Sequence, residues 1–165
     1  MALDIANWRW HGVPFYLRAG KRLPARSTKI VINFKRAPVS IFDPVNRCDM
    51  NFNSLNITLQ PDEGFDLCFE MKGPGEQMKL ITQRLHFRYA EAFGPIPDAY
   101  ETLLLDIMVG DQTLFVGADW VEASWGLYTP LLEKNLPIYS YPAGTWGPPQ
   151  AEQMIKREGH VWANY

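Results

Sequence analysis

The chain has 165 residues, of which 47% are hydrophobic and 21% are charged, so its composition excludes an intrinsically disordered protein. Thirteen prolines argue against a helical bundle, a net charge of −2 excludes broad nucleic-acid binding, and no apolar run approaches the ~20 residues of a membrane span. We therefore expect one domain with a hydrophobic core, exposing about 8,300 Å² of surface when folded.

The charge is unevenly distributed along the chain. Residues 5–42 carry eight Lys or Arg and no acid, a net charge of +8, whereas the remaining residues carry eight bases and eighteen acids, a net charge of −10. Four of these cations fall within nine residues, at Arg18, Lys21, Arg22 and Arg26. We call the segment from Arg18 to Arg26 the basic turn, because Gly20 and Pro24 predict a connection there and not a strand.

Alternating apolar residues and turn chemistry predict five strands. Their predicted bounds, in chain order, are Val13–Arg18, Lys29–Phe34, Ser54–Gln60, Asp66–Lys72 and Met78–Tyr89. The joints at residues 61–64 and 73–75 contain Pro and Gly, which favour tight turns. The last three strands are therefore predicted to form an antiparallel meander.

Two capping-box patterns predict helices over about residues 98–109 and 119–133. In each pattern an Asp, at position 98 or 119, precedes a Glu by three residues. Pro130 should kink or end the second helix, because proline removes a hydrogen bond and crowds the preceding turn. A last helix is predicted from Pro149 to Glu158, with Gly159 as its stop. Strands followed by helices predict an α+β fold.

Several kinds of chemistry are missing from the sequence. Neither G-x-G-x-x-G nor G-x-x-x-x-G-K-[ST] occurs, so no self-contained nucleotide cradle is visible. Three histidines with Cys48 and Cys68 lack the spacing of zinc ligands, and two cysteines do not make a disulfide framework. Four tryptophans are interpreted as filling the core or a subunit interface: Trp8, Trp10, Trp120 and Trp125.

The basic turn has the chemistry of a phosphate site. Lysine contributes a mobile point charge, arginine contributes a planar fork that donates two parallel hydrogen bonds, and Gly20 lets the backbone approach a ligand closely. The alternative is a solvated turn whose charges only aid solubility. Spacing alone leaves both interpretations open.

Longer motifs resemble those of a known family. The segment from Asn7 to Leu23, NWRWHGVPFYLRAGKRL, resembles the opening of the C-terminal region of glucose-6-phosphate dehydrogenases, where G-V-P-F-x-L-R-x-G-K-x-L is characteristic. The resemblance continues in order through LQPDE at 59–63, PDAYETLLLD at 97–106, TPLL at 129–132 and Y-x-x-G-x-x-G at 141–147. It spans essentially the whole chain.

The resemblance implies a substrate site on the basic turn. Lys21 and Arg26 fall on positions that hold the phosphate and sugar of glucose 6-phosphate, Gln60 falls on a position that helps bind the sugar, and Arg18 lies beside them. Residues 1–165 then form a C-terminal substrate-binding and dimerisation domain, and the N-terminal NADP-binding Rossmann domain is absent from this chain. The catalytic base is also absent, so the chain alone is expected to be inactive.

The resemblance further implies an α+β fold with a large, mostly antiparallel β-sheet and helices packed on one side. The full-length protein is expected to be a cytoplasmic, NADP-dependent dehydrogenase that oxidises glucose 6-phosphate to 6-phosphogluconolactone, the first step of the pentose phosphate pathway. We expect a homodimer, with no nucleic-acid or membrane partner.

Two points qualify what the resemblance implies. Some members hold a second, structural NADP through extra cations, but Val31 and Thr58 stand where arginines would be, so that site is not expected here. The alternative function is a non-catalytic sugar-phosphate-binding or assembly module with the same fold.

Overall fold

The computed structural model describes residues 1–36, 38, 51–75 and 79–163. Within them, six strands are found: β1 (Ala2–Asp4), β2 (Pro14–Tyr16), β3 (Thr28–Asn33), β4 (Ser54–Gln60), β5 (Gly64–Lys72) and β6 (Leu80–Arg88). All five predicted strands are present, and the prediction missed β1. Met78, where the last strand was predicted to begin, and Cys48 lie outside the described residues.

The strands form two antiparallel sheets. Strands β3 to β6 make a four-stranded meander in chain order, in which β4 to β6 are the three strands predicted to form one. Strand β1 pairs with β2 in a separate two-stranded sheet. The register of β3 against β4 places Thr28 opposite Gln60. This pairing matters for the site, because Thr28 follows the last residue of the basic turn by two positions.

Four helices follow the strands within the described residues: α1 (Tyr89–Phe93), α2 (Ala99–Val109), α3 (Ala118–Glu133) and α4 (Pro149–Lys156). The short helix α1 was not predicted, and it packs on the sheet through the Tyr89 and Phe93 rings, which lie 5.2 and 6.2 Å from the Phe87 ring. The predicted α+β fold class, with its antiparallel sheet, is confirmed.

The helix ends test the capping predictions. Asp98 is the N-cap of α2, and its carboxylate accepts a hydrogen bond from the Tyr100 N–H at 2.8 Å. Asp119 is not a cap, because α3 begins one residue earlier after Gly117. Pro130 does not end α3, which continues to Glu133. Helix α4 has Pro149 in its first turn, as predicted, and ends two residues before the predicted Glu158.

The expectation of one hydrophobic core is wrong for this chain. The exposed surface is 13,958 Å², far above the value of about 8,300 Å² expected for a compact chain of this mass. Among the described residues, one hydrophobic side chain is buried, that of Ile155, at 2% exposure. A sheet or helix buries its apolar face only against a second layer, and many apolar faces of these elements have none here.

The tryptophans follow the same pattern. Trp8 is fully exposed, and Trp120 and Trp125 are more than half exposed. Trp10 is partly covered by the Phe15 ring, 5.3 Å away in an edge-to-face arrangement. The interpretation that these side chains fill a core is therefore wrong, and their placement at an interface stays a prediction. In the part of the chain that the structure describes, no helix is both long and apolar enough to cross a membrane.

We expect Gly64→Ala to lower the free energy of unfolding by about 2 kcal/mol. Gly64 is buried at the start of β5, and a Cβ there would overlap the backbone carbonyl oxygen of Phe87 on the paired strand. A backbone oxygen cannot move aside without breaking strand pairing. Urea unfolding measures the effect. Gly75→Ala is unsuitable as a control, because Gly75 has a φ of +103°, at which a residue with a Cβ is strained. Gly126→Ala is the matched control, since a Cβ at that helical position meets nothing within 4 Å; an equal loss in both variants would contradict the prediction.

Candidate functional site

The basic turn runs over the surface between β2 and β3. The side chains of Lys21 and Arg26 are exposed, and neither forms an ion pair within the described residues. Two cations without a carboxylate partner are available to an anionic ligand. Arg22 adopts a left-handed backbone with φ of +57°, which costs a residue with a Cβ about 1–2 kcal/mol.

Gln60 is brought towards this turn by strand pairing. It is exposed at the end of β4, opposite Thr28 on β3, and Thr28 follows Arg26 by two residues. The register shifts between Thr28 and Lys29, so the pairing is irregular where the turn joins the sheet. Residues separated by 34 positions in sequence thus lie at the same end of the four-stranded sheet.

Arg18 occupies a different environment from Lys21 and Arg26. Its guanidinium carbon lies 4.7 Å from the centre of the Trp146 ring and 4.5 Å from that of Trp162, distances typical of cation–π contacts. Glu152 on α4 approaches to 3.8 Å. Burial lowers the pKa of the Arg18 guanidinium, and the Glu152 carboxylate opposes that shift.

The end of the chain also holds the backbone of the basic turn. The Tyr141 hydroxyl donates a hydrogen bond to the Lys21 carbonyl at 2.8 Å, and the Gly144 N–H donates to the Arg22 carbonyl at 2.8 Å. Just before the turn, the Tyr16 hydroxyl lies 2.8 Å from Nδ1 of His160. Residues 141–162 therefore contact the basic turn through both backbone and side chains.

Sequence reasoning found the cations and missed their supports. Tyr141, Trp146 and Trp162 lie 115 or more positions after the basic turn in sequence. The Y-x-x-G-x-x-G stretch at 141–147 was the one signal that pointed to this region. Aromatic residues are common, so their presence alone does not predict a contact. The structure leaves the ligand-binding roles of Lys21, Arg26, Gln60 and Arg18 as predictions.

The residues around the turn do not form a metal site. Within residues 1–36, 38, 51–75 and 79–163, no three His, Cys, Asp or Glu side chains gather closely enough to hold a metal ion. The functional groups available at the turn are cations, an amide and backbone donors. These groups suit a phosphorylated or otherwise anionic ligand with hydroxyl groups.

Comparison with known proteins gives a consistent result. The family model described as the C-terminal domain of glucose-6-phosphate dehydrogenase matches residues 1–163. A glucose-6-phosphate 1-dehydrogenase of Aggregatibacter actinomycetemcomitans is 46% identical over 163 residues, which cover 96% of this chain and 32% of that protein. One of Treponema pallidum (strain Nichols) is 42% identical over 164 residues, again 96% of this chain and 32% of the relative. The chain spans about a third of the length of these curated relatives.

Solved structures resemble the chain closely. A glucose-6-phosphate dehydrogenase in complex with its substrate glucose-6-phosphate superposes with a TM-score of 0.84 at 35% identity, covering 99% of this chain and 34% of that one. A glucose-6-phosphate 1-dehydrogenase from Mycobacterium avium superposes with a TM-score of 0.79 at 32% identity, covering 99% and 34%.

Proposed function

The chain belongs to the family of glucose-6-phosphate dehydrogenase C-terminal domains, and from that membership we propose that it binds glucose 6-phosphate as one part of a longer, NADP-dependent dehydrogenase. The whole protein oxidises glucose 6-phosphate to 6-phosphogluconolactone, the first step of the pentose phosphate pathway. The observation that carries the proposal is the pair of exposed cations Lys21 and Arg26, without ion pairs in the described part of the chain, at the sheet end where Gln60 lies.

The chemistry of each of these residues suits a particular part of the substrate. The Lys21 ammonium is a compact charge that binds a phosphate oxygen, and the Arg26 guanidinium donates two parallel hydrogen bonds to phosphate or sugar oxygens. The Gln60 amide both donates and accepts, which suits sugar hydroxyl groups. The Arg18 guanidinium, which contacts two indole rings, adds positive potential to the site without needing to touch the ligand.

The reaction itself needs groups beyond these residues. Oxidation at C1 of the sugar transfers a hydride to the nicotinamide of NADP and a proton to a base, with the reacting atoms about 3–3.5 Å apart. We assign the base and the main NADP site to the part of the relatives that this chain does not span. This chain fixes the phosphate end of the substrate, and in isolation it is inactive.

A second, structural NADP does not fit the residues of this sheet. Val31 on β3 and Thr58 on β4 carry no charge at the positions where some members have arginines. Arg18, a cation of the basic turn, already has Trp146 and Trp162 against its guanidinium. We therefore propose that this chain binds no second nucleotide.

We also propose a cytoplasmic homodimer that pairs through the four-stranded sheet. Three apolar side chains of one face of β3 and its continuation, Ile30, Ile32 and Phe34, are each at least two-fifths exposed. Monomeric proteins seldom leave extended apolar patches open to water. Sedimentation of the whole enzyme tests the assembly, and a monomer at micromolar concentration would contradict it.

The proposed activity is tested in a hybrid enzyme. Residues 1–165 replace the C-terminal third of the Aggregatibacter actinomycetemcomitans relative, whose matching region is 46% identical. We expect the hybrid to reduce NADP when glucose 6-phosphate is added, and to be far less active on unphosphorylated glucose, because Lys21 and Arg26 then have no anion to bind. The isolated chain should reduce no NADP.

The relative's own C-terminal third, rejoined at the same junction, is the control for the fusion. A hybrid that binds NADP and assembles like this control, yet shows no reduction that depends on glucose 6-phosphate, would favour the alternative of an assembly module.

A further inference from the structure

The basic turn is fixed from outside itself, by residues near the other end of the chain. Tyr141 and Gly144 donate hydrogen bonds to two consecutive carbonyl groups of the turn, those of Lys21 and Arg22, both at 2.8 Å. These contacts join residues 120 or more positions apart. Their effect is to fix the peptide groups on both sides of Arg22, whose left-handed backbone is otherwise unfavourable for a residue with a Cβ.

The position of the Lys21 ammonium depends on this backbone. The Lys21 side chain makes no hydrogen bond or ion pair within the described residues, so nothing in that part of the chain directs it except the place where its Cα is held. Lysine has four rotatable bonds, and ordering it on a ligand costs more entropy when its backbone is also mobile. A hydrogen bond to the carbonyl of the same residue reduces that cost.

We propose that Tyr141 is a positioning residue for substrate binding: its hydroxyl, by donating to the Lys21 carbonyl, holds Lys21 where it meets the phosphate of the sugar. This inference rests on the proposed function and deepens it. Tyr141 itself does not touch the substrate. It affects the affinity for glucose 6-phosphate, and not the rate of the chemical step or the affinity for NADP.

Gly20 gives an independent way to disturb the same hydrogen bond. A Cβ at position 20 would lie 2.9 Å from the Tyr141 hydroxyl oxygen, closer than such contacts occur. The φ of Gly20 is not in the left-handed region, so alanine is not strained there for backbone reasons. The Gly20→Ala substitution should therefore act mainly by pushing the hydroxyl away from the Lys21 carbonyl.

The test measures kcat and KM of the hybrid enzyme for both substrates. We expect Tyr141→Phe to raise the KM for glucose 6-phosphate by about 2- to 10-fold, the effect of one neutral hydrogen bond, with kcat and the KM for NADP changed less than about twofold. Gly20→Ala should raise the same KM by a similar factor. When Tyr141→Phe is already present, Gly20→Ala should raise the KM for glucose 6-phosphate little further, because the hydroxyl group that it displaces is absent.

Tyr139→Phe is the matched control. Tyr139 is an exposed tyrosine two residues away and makes no hydrogen bond within the described residues, so its loss of a hydroxyl should leave every constant unchanged. Because KM does not depend on how much enzyme is folded, a general loss of stability does not imitate the expected result.

Three outcomes overturn the inference, and the first two are distinguishable from failure of the proposed function. If Lys21→Ala raises the KM for glucose 6-phosphate but Tyr141→Phe does not, Lys21 binds substrate without help from Tyr141, and only the positioning role is wrong. If Gly20→Ala and Tyr141→Phe multiply as independent effects, the shared hydroxyl is not the cause. If Lys21→Ala itself leaves that KM unchanged, both the proposed function and the positioning role fail.

Discussion

Replacing Lys21 with alanine in the hybrid enzyme is expected to raise the KM for glucose 6-phosphate by roughly 10- to 150-fold. A hydrogen bond to a charged group contributes about 1.5–3 kcal/mol, and each 1.4 kcal/mol is about tenfold in affinity. Lys21 has no carboxylate partner in the described residues, so its removal leaves no unpaired acid behind. The KM for NADP should stay the same, because we assign the main NADP site to the part of the relatives that this chain does not span.

The dependence on ionic strength and a second charge-removing variant test whether this effect is electrostatic. Higher ionic strength should raise the KM of the unsubstituted hybrid more than that of Lys21→Ala, since exposed charge pairs are screened. Lys134→Ala removes an equal charge at the end of α3 and should have no such effect. An unchanged KM in Lys21→Ala, with NADP reduction intact, would mean that the exposed cations are only a solvated surface.

The second large effect, a loss of stability, is expected when Asp66 is replaced. Asp66 lies on β5, an inner strand of the four-stranded sheet. The Arg88 guanidinium donates through Nη2 to both carboxylate oxygens of Asp66, at 3.0 and 2.8 Å, from a diagonal position on the neighbouring strand. The Asp66 side chain is 12% exposed and that of Arg88 is 26% exposed. Asp66→Ala leaves a half-buried guanidinium without its anion, and we expect a loss of about 3 kcal/mol in the free energy of unfolding.

Chemical unfolding of the chain and of the hybrid measures this loss. Asp62→Ala, in the exposed turn between β4 and β5, is the matched control and should change stability by less than about 0.5 kcal/mol. The double variant Asp66→Ala/Arg88→Met should be more stable than Asp66→Ala alone, because it removes the unpaired charge. A single variant as stable as the control would show that water already compensates Arg88.

Local patterns predicted the local structure well. The bounds of β4 were predicted to the residue, and Asp98 caps α2 as its sequence context indicated. The same pattern failed at Asp119, because an Asp followed three residues later by Glu also occurs inside the first turn of a helix, where Gly117 takes the cap position. The helix beginning was decided by backbone conformation, which this pattern does not encode.

Burial was predicted poorly for a different reason. The relation between mass and surface assumes that each apolar face meets another within the same chain. Ile30, Trp120 and Trp125 instead remain exposed in this structure, and the sequence identified them as apolar without identifying what covers them. Hydrophobic pattern determines which face of an element avoids water, and it carries no information on whether the partner layer is part of the same 165 residues.

Sequence patterns alone identified five of the six described strands, three of the four described helices, the excess of cations in the first quarter of the chain and, through the motifs, the family. Each of these depends on residues close together in the chain or on the order of short matches. The folded chain was needed to show that Tyr141 donates a hydrogen bond to the Lys21 carbonyl and that Trp146 and Trp162 contact the Arg18 guanidinium. Contacts across more than a hundred residues depend on how the whole chain closes, and no local periodicity records them.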